Sequence, residues 1–160
     1  MRGDYEEALA RINDALALGQ DEAKLWTMKG IFLRKIKVGE NSSSSRKEGQ
    51  IPLSNSNSEL QLALDRAQQC DPLEYWAVVE KAFAGGRASS RAAEALAAAE
   101  KNRGLKAQQL LECVSDYWGI GCYDEVIALC DAALAKAATE KPYATEGALP
   151  LKDTIAACDS

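Results

Sequence analysis

Two stretches of this chain nearly repeat each other. One is GDYEEALARINDAL, Gly3 to Leu16; the other is GCYDEVIALCDAAL, Gly121 to Leu134. Self-similarity at a fixed spacing constrains a fold strongly, because it marks an array of stacked supersecondary units. The two copies lie 118 positions apart, which is three periods of 34 plus 16. The same period of 34 relates Trp76 to Leu110, Ala92 to Val126 and Ala99 to Ala133. Trp26 and Trp76 are 50 apart, one period plus the same 16. A single insertion therefore reconciles both ends of the chain. The helix containing Ala67 sits about two residues late against this phase.

Within the repeats the apolar residues have helical spacing. Tyr5, Ala8, Leu9, Ile12, Ala15 and Leu16 fall on one helix face. Gly19 suits a helix C-terminus, and Asp21 is placed to cap a second helix running from about Asp21 to Val38. Gly39 to Ser58 is nearly all Ser, Asn, Gly and charge, with Pro52 inside it, and reads as a flexible inserted loop. Helix resumes at Ser58. Asp71-Pro72 ends that helix and opens another, with proline in its first turn. Breaks at Gly85–Arg87, Asn102–Gly104 and Gly119–Gly121 divide the remainder, and the tail from Thr139, with Pro142 and Pro150, reads as mostly irregular. About seven helices joined by short links make antiparallel neighbours.

The slots filled by these residues resemble the tetratricopeptide repeat family. Trp26, Gly30 and Leu33 stand in its first-helix slots, and Gly3, Tyr5, Ala8 and Ala15 in its second-helix slots. Ala67 and Pro72 close the next second helix; Trp76 and Phe83, then Ala92 and Ala99, follow. Leu110, Val114 and Tyr117, then Gly121, Tyr123, Val126 and Ala133, complete the last pair. Glu80 departs from the pattern, standing where a small residue is expected. Leu110 replaces tryptophan, and Gln20, Gly104 and Ala138 replace proline. The resemblance implies an all-α, right-handed α-α superhelix of about 3.5 hairpins with one long inserted loop. Its repeat domain would span 1–138, with the loop at 39–58 and the tail at 139–160. Slim residues at Ala15, Gly30, Ala99 and Ala133 would let backbones approach. Tyr5, Trp26, Trp76, Tyr117 and Tyr123 would fill the space between hairpins. The competing reading is a generic helical bundle. The first helix has no hairpin partner before it, so its Tyr5, Ile12 and Leu16 face would stand partly open. It then serves as a cap, meets another chain, or belongs to a longer protein.

Composition narrows the chemistry. Histidine is absent, which removes the commonest general base and metal ligand. No glycine-rich phosphate loop or nucleophile motif occurs, so the chain reads as non-catalytic, without cofactor, metal or small-molecule substrate. Five cysteines without a CxxC pair read as buried thiols in a reducing compartment, with a disulfide framework or zinc site as the minority reading. Cys113 and Cys130 would face each other inside the last hairpin, where a redox dithiol is conceivable. A net charge of −5 argues against nucleic acid. No apolar run is long enough for membrane insertion, and the acidic start is unlike a signal peptide. The expected location is the cell interior, cytoplasmic, or an organelle lumen or matrix after removal of a targeting segment.

The resemblance implies a protein-binding module. The groove residues would be Lys24, Thr27, Ile31, Arg34 and Lys35 from one helix and Lys81, with Glu74 and Ala77, from the next. Gln108, Leu111, Ser115 and Trp118 would come from the last. The lysine and asparagine clamp of the family's chaperone-tail groove is not matched: Thr27, Ile31, Val78, Gln108 and Glu112 stand there. Lys35, Lys37, Arg46 and Lys47 beside four serines make a basic stretch open to modification by phosphate. The alternative is a scaffold subunit held through its N-terminal helix and tail.

Overall fold

The computed structural model describes residues 4–42, 54–103 and 106–139. Within them are seven helices and no strand: α1 Tyr5–Ala17, α2 Ala23–Ser42, α3 Ser54–Cys70, α4 Tyr75–Phe83, α5 Ala88–Arg103, α6 Ala107–Gly119 and α7 Tyr123–Thr139. The protein is all-α. No helix among the described residues is long and apolar enough to cross a membrane.

The first helix begins where a short acidic side chain can satisfy an orphan donor. Asp4 Oδ1 accepts the Glu7 amide at 3.1 Å. The helix ends at Gly19, whose φ of 85° is the left-handed conformation that glycine adopts without steric cost. Gly121, at φ 75°, makes the matching turn between α6 and α7. The apolar face of α1 is turned onto α2: Ile12 is buried, and Tyr5 stacks at 5.7 Å on Phe32. Tyr5, Leu9 and Leu16 are partly buried against the same core, so the face expected to stand partly open is largely covered within the chain.

Several helix boundaries depart from the sequence reading. Helix α2 runs on through Gly39 to Ser42, and α3 starts at Ser54, so both margins of the expected loop are helical. Serine and asparagine disfavour helix interiors but suit a first turn, and Ser54–Ser58 is such a turn. The middle of that loop with Arg46 and Lys47, the tail from residue 140 and Cys158 lie outside the described residues. Asp21 does not cap α2. Its carboxylate accepts the Trp26 indole N–H and an Arg66 N–H, both at 2.5 Å. Pro72 lies in the α3–α4 link rather than in a helix. There Asp71 Oδ1 accepts the Leu73 amide at 2.8 Å and Glu74 caps α4 through the Trp76 amide at 3.2 Å.

The core is organised about α4. Trp76, Ala77, Val78, Val79, Glu80 and Phe83 are all buried, and α4 touches α2, α3, α5 and α6. A helix this rich in apolar residues is buried over most of its surface. Trp76 and Phe83 both meet Tyr117 edge-on, at 5.6 and 5.9 Å. Burying each such ring stabilises by roughly 1.5–3 kcal/mol. The slim positions do permit close approach: a Cβ at Gly30 would lie 2.6 Å from Leu64 Cδ2 on α3. Helices α5 and α7 pack together, and Lys136 reaches Glu100 at 2.6 Å.

Candidate interaction surface

The expected groove residues do not share one surface. Thr27 and Ile31 are buried, and the Thr27 hydroxyl donates to the Ala23 carbonyl at 2.9 Å. Arg34 is buried. Ala77, expected beside the groove, has no exposed surface. Lys35 donates to Glu125 Oε2 at 2.7 Å, and Lys81 donates to Asp65 Oδ1 at 2.6 Å and to Gln68. These side chains tie helices together, because α4 lies too deep to offer an open face. Lys24, Gln108, Leu111 and Ser115 do converge. They line a cleft of about 560 Å³ between the start of α2, the α3–α4 link and α6. Asp71, Glu74, Glu112 and Asp116 make its lining largely acidic, and Lys24 Nζ sits 3.1 Å from Asp116 Oδ2. Burial pushes the Glu74 carboxyl above its ordinary value, against the Trp76 amide and the Lys24 charge.

Arg34 lies at the centre of a buried ion cluster. Its Nε and Nη2 donate to Glu80 Oε1 and Oε2 at 2.5 and 3.0 Å, and its Nη1 donates to Glu125 Oε1 at 2.9 Å. The Tyr117 hydroxyl donates to Glu80 Oε2 at 2.8 Å. With Lys35 on Glu125, two cations meet two carboxylates, and helices α2, α4, α6 and α7 are joined. Burial favours the neutral form of Arg34, but Glu80 and Glu125 outweigh it and hold the guanidinium charged. Burial likewise opposes ionised Glu125, and Arg34 and Lys35 together pull its pKa below the usual carboxylate range. Burial pushes the Glu80 carboxyl up, against Arg34 and Tyr117. The signal for this cluster was present in the sequence as Glu80 in a small-residue slot.

The thiols divide by burial. Cys113 and Cys122 are buried, and burial pushes each up to about 12. Cys70 and Cys130 are exposed. Cys113 and Cys130 therefore do not face each other: one points into the core and the other lies on the outer side of α7.

That outer side is the most open apolar surface described. Trp118 is 62% exposed, Tyr123 52%, Ile127 59% and Leu134 69%. Trp118 packs edge-on against Tyr123 at 5.0 Å, which joins the end of α6 to the start of α7. Tyr123 was expected to fill space between hairpins; instead it faces outward. Ile127 and Leu134 were missed, although Tyr123, Ile127, Cys130 and Leu134 follow the spacing of one helix face. No protein-family model, no curated protein and no solved structure matches the chain.

Proposed function

We propose that this protein is a non-catalytic interaction module that binds a protein partner through the surface of its last hairpin. The single observation that carries this is the contiguous exposed set Trp118, Tyr123, Ile127 and Leu134. Aromatic and aliphatic side chains left open together are the usual anchors of an interface. The acidic cleft with Lys24, Gln108, Leu111 and Ser115 borders the same helix and extends the surface to basic or polar groups of a partner. The finer reading is a tetratricopeptide-like array, a right-handed superhelix of hairpins. Its support is the period of 34, the close approach at Gly30, the glycine turns, and the contacts of α4 with both α2 and α6.

Trp118→Ala tests the function. The side chain is mostly exposed and packs edge-on against Tyr123, so the loss of stability stays within about 1.5 kcal/mol, the range of one aromatic pair. Affinity for a partner co-purified with the native protein falls by at least tenfold, as expected for a buried anchor. Unchanged capture by the variant would remove this surface from the function. A second reading, a scaffold subunit of a larger assembly, is favoured by the apolar residues on both faces of α7. Sedimentation separates the two. A soluble monomer supports the module, and aggregation relieved only by co-expression with neighbours supports the subunit.

A further inference from the structure

Helices α2 and α7 do not pack on each other directly; side chains span the gap. Arg34 and Lys35 reach from α2 to Glu125 of α7, and beside that bridge lies a cleft of about 780 Å³. Its walls are the end of α2, the α4–α5 junction and the first half of α7. Pockets that take small ligands measure about 300–1,000 Å³ and are lined by apolar side chains around a few polar groups. Val38, Leu60, Phe83, Ala88, Ile127 and Ala128 supply the apolar lining here.

Arg34 lines this cleft with a side chain that is only 8% exposed. A guanidinium has five N–H groups, and Glu80 and Glu125 take three of them. One on Nη1 and one on Nη2 have no acceptor among the described residues. A buried donor is costly to leave unmatched, so an oxygen entering the cleft is favoured there. The remaining charges are segregated by wall. Lys37 of α2 and Arg87 of the α4–α5 link stand on one side, Asp124 and Asp131 of α7 on the other. Arg87, Asp124 and Asp131 are exposed, and no ion pair holds them among the described residues. Arg34 and Lys35 are balanced by Glu80 and Glu125. The lining therefore carries both signs with no net excess. An anion would meet the aspartates of α7, and a cation would meet Arg87 and Lys37. A molecule with one charge of each sign meets neither penalty.

We infer that this cleft binds a small zwitterion with an apolar body, its anionic group toward Arg34 and Arg87 and its cationic group toward Asp124 and Asp131. The site goes beyond the interaction reading above and stands without it, since Trp118, Tyr123 and Leu134 do not line the cleft.

The test is isothermal titration of the full chain with 8-aminooctanoate, octanoate and octylamine, which share an apolar chain and differ in charge. A parallel titration with 6-aminohexanoate covers a shorter span between the charges. One of the two zwitterions is expected to bind at least tenfold tighter than either singly charged probe. Arg87→Gln should narrow the preference over octylamine to less than threefold, because the carboxylate loses its wall. Asp124→Asn with Asp131→Asn should do the same for the preference over octanoate. Val38→Asp should weaken the zwitterion at least tenfold by placing a charge against its apolar body. All these side chains but Lys37's neighbours in the bridge are exposed, so the variants keep the fold, which circular dichroism checks. Glu6→Gln with Asp14→Asn on α1, outside the cleft, should leave every affinity unchanged. Tightest binding by octanoate or octylamine would overturn the zwitterion, and an equal loss in the α1 control would overturn the site. Absence of heat with all four probes would overturn both. Capture of a protein partner through Trp118 is untouched by any of these results, so the two readings fail separately.

Discussion

At the scale of single residues, Glu80 does most to explain why this sequence holds its shape. A carboxylate inside YWAVVEKAF costs several kcal/mol to bury unless it is matched. Arg34 matches it with two hydrogen bonds and Tyr117 adds a third. Removing one partner alone is therefore far worse than removing both. Arg34→Met or Glu80→Leu alone should cost about 3–5 kcal/mol. The pair together should cost much less than the sum, since Lys35 still holds Glu125. Chemical denaturation of the four proteins gives the coupling, and additive losses would show that the charges act independently. The sequence announces that Glu80 is anomalous. It cannot announce the partner, because Arg34 and Glu125 reach it only through the tertiary fold.

At the scale of elements, periodicity made the helices legible and their faces only partly so. The apolar spacing locates all seven, and glycine chemistry locates the turns at Gly19 and Gly121. The ends of α2 and α3 were missed because local serine and asparagine preferences were weighed without the helix they extend. The groove was misplaced because Thr27, Ile31 and Arg34 were read as outward. Which side of α2 faces outward is decided by α4, and α4 is hidden by its neighbours. The α2–α3 contact at Gly30 offers a test in which two effects compete. Alanine in a helix interior gains about 1 kcal/mol over glycine. A methyl 2.6 Å from Leu64 Cδ2 is overpacked, which costs about 1–3 kcal/mol. Gly30→Ala should therefore be neutral to destabilising in the native background. It should become stabilising by about 1 kcal/mol when Leu64 is alanine, where only the backbone preference remains. Thermal unfolding of the two pairs checks the change of sign.

At the scale of the molecule, Glu125 couples acidity to the joining of α2 and α7. Its pKa is lowered in the fold, so its contribution is present above the unfolded value of about 4.3. That contribution is lost as pH falls through the lower, folded value. Glu80 has the opposite sign: its pKa is raised, so its contribution falls as pH rises toward that value. Of the two buried carboxylates, Glu125 is thus the one whose protonation weakens the fold in acid, alongside Asp21 and Asp65 at the surface. In Glu125→Gln the melting temperature should fall less steeply between about pH 5 and 3 than in the parent. An unchanged acid slope would place the loss on other carboxylates. The spacing of 34 was plain from the sequence, whereas the way α2 is tied to α7 was not. A period reports similarity between units and says nothing of bonds that skip over them.

Those skipping bonds bear on how the protein is made. In a strictly linear array, each unit can settle as soon as its predecessor is in place. Here Arg34 finds its full set of carboxylates only after Glu125, 91 positions later, has been synthesised. Its pairing with Glu80 can close earlier, but the buried ion cluster is complete only once α7 has been made.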